Sequence, residues 1–191
     1  MRNIFNILVV LLFILTYAGY SYPQNTNNAR IGNVVISNNN QGITVSFEVK
    51  SGFTKEIEEA INSGIPTPFT FIVELYRNRS FWFNEKLTEY EFRHSVKYDT
   101  LKAEYEVVME EKNQHERIIR LKDLSSVKEV MSKVEGLQLY DSAKLQKNNK
   151  YTVKIKAKLD TVNLFFPLNY MLFFVSFWDF ETEWYEETFN F

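Results

Sequence analysis

Apolar and polar residues alternate along five stretches of the chain, which is the pattern of strands with one face buried and the other in water. In residues 43–50, every second residue from Ile43 to Val49 is apolar, and the residues between them are Thr, Ser, Glu and Lys. The other clear stretches are residues 69–75, 89–98, 101–109 and 151–159, and weaker ones are 31–37, 117–121 and 183–191. A single buried face is typical of antiparallel sheets.

Two segments have helical spacing instead, and each carries its own start signal. Thr54 can cap a helix over residues 55–62, whose acidic first turn suits the positive end of the helix dipole. Asp123 can cap a second helix, in which apolar residues recur at helical spacing as far as Val134 and which Gly136 closes. These segments are expected to cover an open end or a face of the sheets.

The order of these elements predicts a mainly β protein. Roughly eight strands with short turns, joined by two or three short helices, indicate an antiparallel β-sandwich of immunoglobulin-like layout, with a β-barrel as the alternative. Asp99 and Thr100 are predicted to form the turn of one hairpin. Residues 22–29 are polar and predict a linker, and residues 30–191 are expected to form a single β-rich domain. The pattern does not determine the strand order.

The longest apolar run stands near the N-terminus, where Arg2 precedes the almost unbroken run of residues 4–17. A basic start, an apolar run and small residues up to Ser21 predict a signal peptide over residues 1–21. The alternative is an uncleaved anchor over residues 4–20, since a spanning helix needs roughly 20 apolar residues. Both interpretations place the protein in the periplasm or cell envelope, and in the second it is tethered to the cytoplasmic membrane.

The amino-acid composition of the chain limits the kinds of partner that its exported part is expected to bind. The chain has no cysteine, so its fold depends on burial of a core and not on disulfides. It carries 22 Lys and Arg against 24 Asp and Glu, and loss of residues 1–21 would remove Arg2 alone. This mildly acidic balance argues against a nucleic-acid partner, which normally meets a basic face.

Catalytic motifs are missing from the sequence. It has no Gly-x-Ser-x-Gly elbow, no phosphate-binding glycine pattern and no cysteine nucleophile. His94 lies on the apolar face of its predicted strand, where it would act either as an acid, base or metal ligand or as a core histidine with one hydrogen-bond partner. His115 is the other histidine of the chain, and no pair has metal-ligand spacing. We therefore expect a protein with no catalytic residue, no cofactor and no metal site.

The aromatic content is unusual, with 3 Trp, 11 Tyr and 17 Phe. Two clusters stand where loops are expected, one at Phe81-Trp82-Phe83 and the other in residues 162–178, which also include a short helix predicted from Leu168 onward. Exposed aromatic residues beside arginine are typical of a partner or membrane interface, whereas buried ones would plug the ends of the sandwich. The candidate partner surface consists of Arg77, Arg79, Trp82, Phe173 and Trp178.

Several short motifs occur in an order that resembles a known family. They are residues 57–66, residues 73–77, Trp82-Phe83, Leu101 with Tyr105 and Val107, residues 158–160, and Trp178 with Thr182 and Trp184. In this respect the chain is similar to the bacterial exported family called domain of unknown function 4390, over most of residues 29–191. Residues 164–177 depart from the family's pattern, being richer in aromatics and poorer in prolines. The resemblance implies an exported, sheet-rich envelope protein and transfers no site residue.

Two functions follow as hypotheses. The first is a non-enzymatic envelope protein that binds another envelope protein or a membrane surface through its aromatic loops. The alternative is a small-ligand carrier or a hydrolase whose site lies inside the sandwich. A deep pocket that contains His94 or converging carboxylates would favour the alternative, and a flat aromatic patch would favour the first. The oligomeric state is not determined by the sequence.

Overall fold

The computed structural model describes residues 29–39, 42–110, 116–159 and 180–191, and the structural statements below concern these residues. The predicted signal peptide, the linker up to residue 28, His115 and the whole of residues 162–178 lie outside them, so Phe173, Trp178 and the helix predicted from Leu168 remain predictions.

The described residues form ten strands and two α-helices. The strands are β1 (Arg30–Asn39), β2 (Gly42–Lys50), β3 (Thr67–Arg77), β4 (Glu85–Asp99), β5 (Glu104–Glu110), β6 (Glu116–Leu121), β7 (Lys133–Asp141), β8 (Lys150–Leu159), β9 (Phe180–Glu181) and β10 (Tyr185–Asn190). The helices are α1 (Lys55–Asn62), α2 (Leu124–Ser132) and a short 3-10 helix, Ser142–Lys144.

The strands build two sheets in which every neighbouring pair is antiparallel. The small sheet has the order β1-β2-β7, and the large sheet has the order β10-β8-β3-β4-β5-β6, with β9 also paired to β8. This confirms the predicted antiparallel sandwich, and neither sheet closes into a barrel within the described part of the chain.

Phe71 lies near the centre of the core between the two sheets. Its ring contacts Phe47 of the small sheet edge-on at a centroid distance of 5.8 Å and stacks on Phe92 at 5.2 Å. The alternation seen in the sequence explains this core, because β2, β3 and β8 each direct every second side chain inward. In a chain without cysteine, this apolar burial is the main stabilising contribution.

Both predicted helix caps are confirmed. The Thr54 hydroxyl accepts the N–H of Ile57 at 3.4 Å, and the Asp123 carboxylate accepts the N–H of Ser126 at 2.8 Å. Hydrogen bonds from the hydroxyl of Ser125 and from Ser126 lower the pKa of Asp123 to about 2, so this cap is charged at neutral pH. The caps start the two helices, each of which contributes buried side chains to the core.

The helix predicted as far as Val134 is too long. It ends at Ser132, and Val134 lies in β7, opposite Phe47 of β2. This strand was not recognised in the sequence because it contains a β-bulge. Two residues of β7 lie opposite a single residue of β2, Ser46. The second of the two is Gly136, which has φ +62° and donates its N–H to the Ser46 hydroxyl at 2.9 Å. The extra residue breaks the period-two pattern, so the apolar residues on either side of it mimic helical spacing.

The β4–β5 turn also differs from its prediction. Strand β5 begins at Glu104, because the Asp99 carboxylate accepts the N–H groups of Leu101 at 3.0 Å and Lys102 at 3.1 Å and so closes a longer turn. Leu101 was expected on a buried strand face, yet it is 97% exposed. Asp99 therefore determines where the hairpin turns, and Leu101 lies at the outside of that turn.

Candidate functional site

Three consecutive aromatic side chains stand in water at the end of the β3–β4 hairpin. Phe81 is 98% exposed, Trp82 is 74% exposed and Phe83 is 85% exposed. The rings of Trp82 and Phe83 touch edge to face, with centroids 6.3 Å apart. We call Phe81, Trp82 and Phe83 the aromatic tip. For these residues the interpretation as a buried plug is wrong, since hardly any of their apolar surface is covered.

Charged residues surround the base of the aromatic tip. Arg79 donates to the Glu85 carboxylate at 2.6 Å, and Arg77 forms an ion pair with the same oxygen. These two hydrogen bonds, first that from Arg79 and then that from Arg77, hold the pKa of Glu85 below its usual range. Two guanidinium groups against one carboxylate leave one net positive charge directly behind the aromatic residues.

The stem of the loop is tied to strand β8. The backbone N–H of Asn78 donates to the carbonyl of Lys150 at 2.9 Å, and the Asn78 side-chain oxygen accepts the hydroxyl of Thr152 at 2.9 Å. On the other side of the tip, the Asn84 side chain accepts the N–H of Arg79 at 3.4 Å. Because these hydrogen bonds hold both sides of the loop, the aromatic tip projects as a defined protrusion.

The structure thus brings together three of the five residues predicted for a partner surface. Arg77, Arg79 and Trp82 lie in or beside one hairpin loop, whereas Phe173 and Trp178 lie outside the described residues. The sequence pointed to this loop because aromatic residues stood next to arginines between two alternating stretches. The sequence did not show that both arginines share Glu85 as a partner. That pairing requires β4 to begin at Glu85, whereas the predicted strand began at residue 89.

A second candidate is a cleft of about 1220 Å³ where the large sheet extends beyond the small one. One side is β7, and the other is the inner face of β4, β5 and β6 beside α2. Its apolar wall includes Tyr90, Phe92, Ile119, Val134 and Leu137. The sequence did not predict this cleft, because its residues come from five separate elements. The start of one of them, β7, was predicted to be the end of a helix.

His94 lies in the wall of the cleft and is only 3% exposed. Its Nδ1 is 3.4 Å from the carbonyl oxygen of Met131 in α2, and its ring packs on Phe71 at a centroid distance of 4.8 Å. Burial lowers the pKa of His94 to about 4, and the nearby positive charge of Arg117 acts in the same direction. The imidazole is therefore neutral at neutral pH, as a core histidine with a backbone partner would be.

Carboxylates outnumber basic groups around the cleft. The lining includes Glu91, Glu110, Glu116, Glu129 and Glu135, against Arg117 and Lys133. His94 is neutral at neutral pH, so it adds no positive charge to this lining. Across the ranges that the structure describes, no group of three or more His, Asp or Glu residues is placed to hold a metal ion.

None of the helices in the described ranges has the length and apolar character needed to cross a membrane. A protein-family model for a domain of unknown function (DUF4390) matches residues 26–188 of the chain. No curated protein and no solved structure matches it.

Proposed function

The chain belongs to the DUF4390 family, and from that premise we propose that it is an interaction module of the bacterial cell envelope that binds a membrane surface through its aromatic tip. The observation that carries this proposal is the exposure of Phe81, Trp82 and Phe83 on a held hairpin. Large apolar side chains in water are unfavourable for a free protein, so a contiguous set of them favours an interaction role.

The size of the aromatic tip favours a membrane over a protein partner. Aromatic side chains bury about 150–250 Å² each, so three of them cover about 450–750 Å². A stable protein interface usually buries about 800 Å² on each side and needs a complementary surface. The membrane interface needs no such pocket, and it accommodates aromatic rings at the level of the headgroups. Full burial of three such side chains contributes roughly 5–9 kcal/mol.

The charge behind the tip supports the same partner. Arg77 and Arg79 outnumber Glu85, and guanidinium groups form charge-assisted hydrogen bonds with phosphate. Rings inserted between headgroups would bring these arginines to the depth of the lipid phosphates. Export by the predicted signal peptide, residues 1–21, would bring the domain beside such a surface, and an uncleaved anchor over residues 4–20 would hold it there.

Replacing all three rings tests this function. In the chain without the predicted signal peptide, residues 22–191, the variant Phe81→Ser/Trp82→Ser/Phe83→Ser is expected to bind vesicles of phosphatidylethanolamine and phosphatidylglycerol at least about tenfold more weakly. The reason is that each lost ring removes more than about 1.4 kcal/mol of burial. Vesicle co-sedimentation over a lipid titration measures the change.

Leu101→Ser is the matched control, since Leu101 is as exposed as the tip but lies in the β4–β5 turn. It should bind like the unaltered protein, and both variants should melt like it. Equal vesicle binding by the triple variant would contradict the proposal. Capture of an envelope protein that depends on the tip, with no vesicle binding by the unaltered chain, would instead assign the tip to a protein partner.

The cleft favours a second candidate function, that of a small-ligand carrier. Its volume of about 1220 Å³ is ample for a ligand, since ligand pockets usually measure about 300–1,000 Å³. An apolar wall and a lining with more carboxylates than basic groups suit an amphiphile that has an apolar body and a positive group. Dodecylammonium below its micellar concentration should bind several-fold more tightly than dodecanol, and Glu91→Gln/Glu135→Gln should reduce that preference. Isothermal titration calorimetry measures both, and equal affinities for the two ligands would contradict the carrier function.

A further inference from the structure

Strand β6 is the end strand of the large sheet within the described residues. It pairs with β5 from Glu116 to Leu121 in one unbroken register. The pairs β1–β2, β2–β7 and β3–β4 each contain a register shift. Bulges and prolines are common devices that stop an edge strand from pairing with another chain, and β6 has neither. Its outer edge is therefore regular enough to accept another strand.

The residues on the outer face of β6 are Glu116, Ile118 and Arg120. Ile118 is 51% exposed, although it stands in the middle of the strand. Within the described part of the chain the Glu116 carboxylate has no ion-pair partner, and the Arg120 side chain is 54% exposed. The strand thus presents an acidic residue, an apolar residue and a basic residue in that order.

We propose that β6 pairs antiparallel with β6 of a second copy of this chain. Residues that lie opposite each other in an antiparallel pair share one face of the sheet. A strand that pairs with its own copy about a two-fold axis therefore has one residue opposite itself. With Ile118 at that centre, Glu116 lies opposite Arg120 of the second copy, and Arg120 lies opposite Glu116.

This register satisfies all three outer residues together. The two exposed isoleucine side chains cover each other, and an ion pair of opposite charges flanks them on both sides. Arg120 already contacts Glu106 at 3.4 Å and Glu104 at 3.6 Å, and its exposure allows a further carboxylate to join them. The sequence of β6 is complementary to itself when it is reversed about Ile118.

The neighbouring registers are less favourable. With Arg117 at the centre, two guanidinium groups lie opposite each other, and like charges in that position are destabilising. With Ile119 at the centre, Ile118 faces Arg120 of the second copy, and Glu116 faces Lys122, which lies beyond the end of β6. A slip by one residue would place inner and outer faces together. The register with Ile118 at the centre is the one that the charges select.

Pairing in this register joins two large sheets into one sheet across the dimer. On its inner face, Arg117 lies opposite Ile119 of the second copy, and both residues line the cleft described above. The clefts of the two copies therefore open side by side at the dimer axis. This inference is independent of the membrane function of the aromatic tip, which lies at the far end of β4.

The absence of cysteine from the chain allows a direct test of the register. Ile118→Cys places two thiols opposite each other at a Cα separation of about 4.5–5.5 Å, within the range of a disulfide. In the full chain in mild detergent, mild oxidation should convert most of this variant to a cross-linked dimer on a non-reducing gel. Val35→Cys is the matched control, because Val35 is a 58% exposed strand residue of the small sheet. Cross-linking of Ile118→Cys no faster than that of Val35→Cys would overturn the proposal.

Charge reversal tests the ion pairs separately. Chains with Glu116→Lys should repel each other, as should chains with Arg120→Glu, and each is expected to raise the dimer Kd at least tenfold. An equimolar mixture of the two restores opposite charges at both positions and should dimerise like the unaltered chain. Multi-angle light scattering distinguishes the 22.7 kDa monomer from a dimer of twice that mass. Circular dichroism melts confirm that each variant is folded. A monomeric unaltered chain, or two variants that dimerise as tightly as it does, would overturn the proposal.

Discussion

Phe71→Ala is expected to lower the free energy of unfolding by about 3–5 kcal/mol. The Phe71 side chain is fully buried and packs on Phe47, Phe92 and His94, so its removal leaves a cavity between the two sheets. The loss is large against a typical domain stability of about 5–15 kcal/mol. It should lower the melting temperature by roughly 6–20 °C, measured by calorimetry or circular dichroism.

Phe81→Ala is the matched control because it removes the same side chain from an exposed position. Its free energy of unfolding should stay within about 0.5 kcal/mol of that of the unaltered protein. Similar losses in the two variants would contradict the placement of Phe71 in the core and of Phe81 on the surface.

Stability is also expected to fall as the pH drops from 6.5 towards 4, because of His94. Burial lowers the pKa of His94 to about 4 in the folded protein, against 6.5 for an exposed histidine. Between these values the unfolded chain binds a proton that the folded protein does not, so acidification favours unfolding. The difference corresponds to roughly 3 kcal/mol, of which most is lost by pH 4.5. Urea unfolding at a series of pH values measures it.

His94→Gln should remove most of this pH dependence, whatever its effect on stability at pH 7.5. His115→Gln is the comparison for the other histidine of the chain, and a pH dependence lost in that variant would assign the effect to His115. Asp123 has a pKa of about 2, and the pKa of Asp99 is also lowered, chiefly by the N–H of Lys102. Their stabilising contributions are present above about pH 4 and are lost only at lower pH. An unchanged slope in His94→Gln between pH 6.5 and 4.5 would show that another group is responsible.

The aromatic tip shows how far a site could be predicted from the sequence. Three aromatic residues beside Arg77 and Arg79, between two alternating stretches, predict a loop, and an interaction role was one of two interpretations of that loop. The same residues are compatible with a buried plug, because phenylalanine and tryptophan are more often buried than exposed. Only the packing around a loop determines whether its rings are covered, and here they are not.

The cleft shows the limit of the same reasoning. His94 was correctly placed on the apolar face of its strand, because that placement follows from local alternation. The groups that face it across the cleft come from α2, β6 and β7, which are distant in the chain. No local pattern reports which distant segments meet. In β7 the bulge at Gly136 also concealed the strand itself.

By itself, the sequence determined the antiparallel class, the helix starts at Thr54 and Asp123, and the membership of most of the chain in one family. These features rest on periods of two or 3.6 residues and on hydrogen bonds between near neighbours, which a short stretch of chain contains. The tertiary structure alone decided the strand order, the exposed tip, the cleft and the place of β6 at the end of the large sheet among the described strands. Each depends on which distant segments pack together, and that is settled by burial of the whole apolar surface at once.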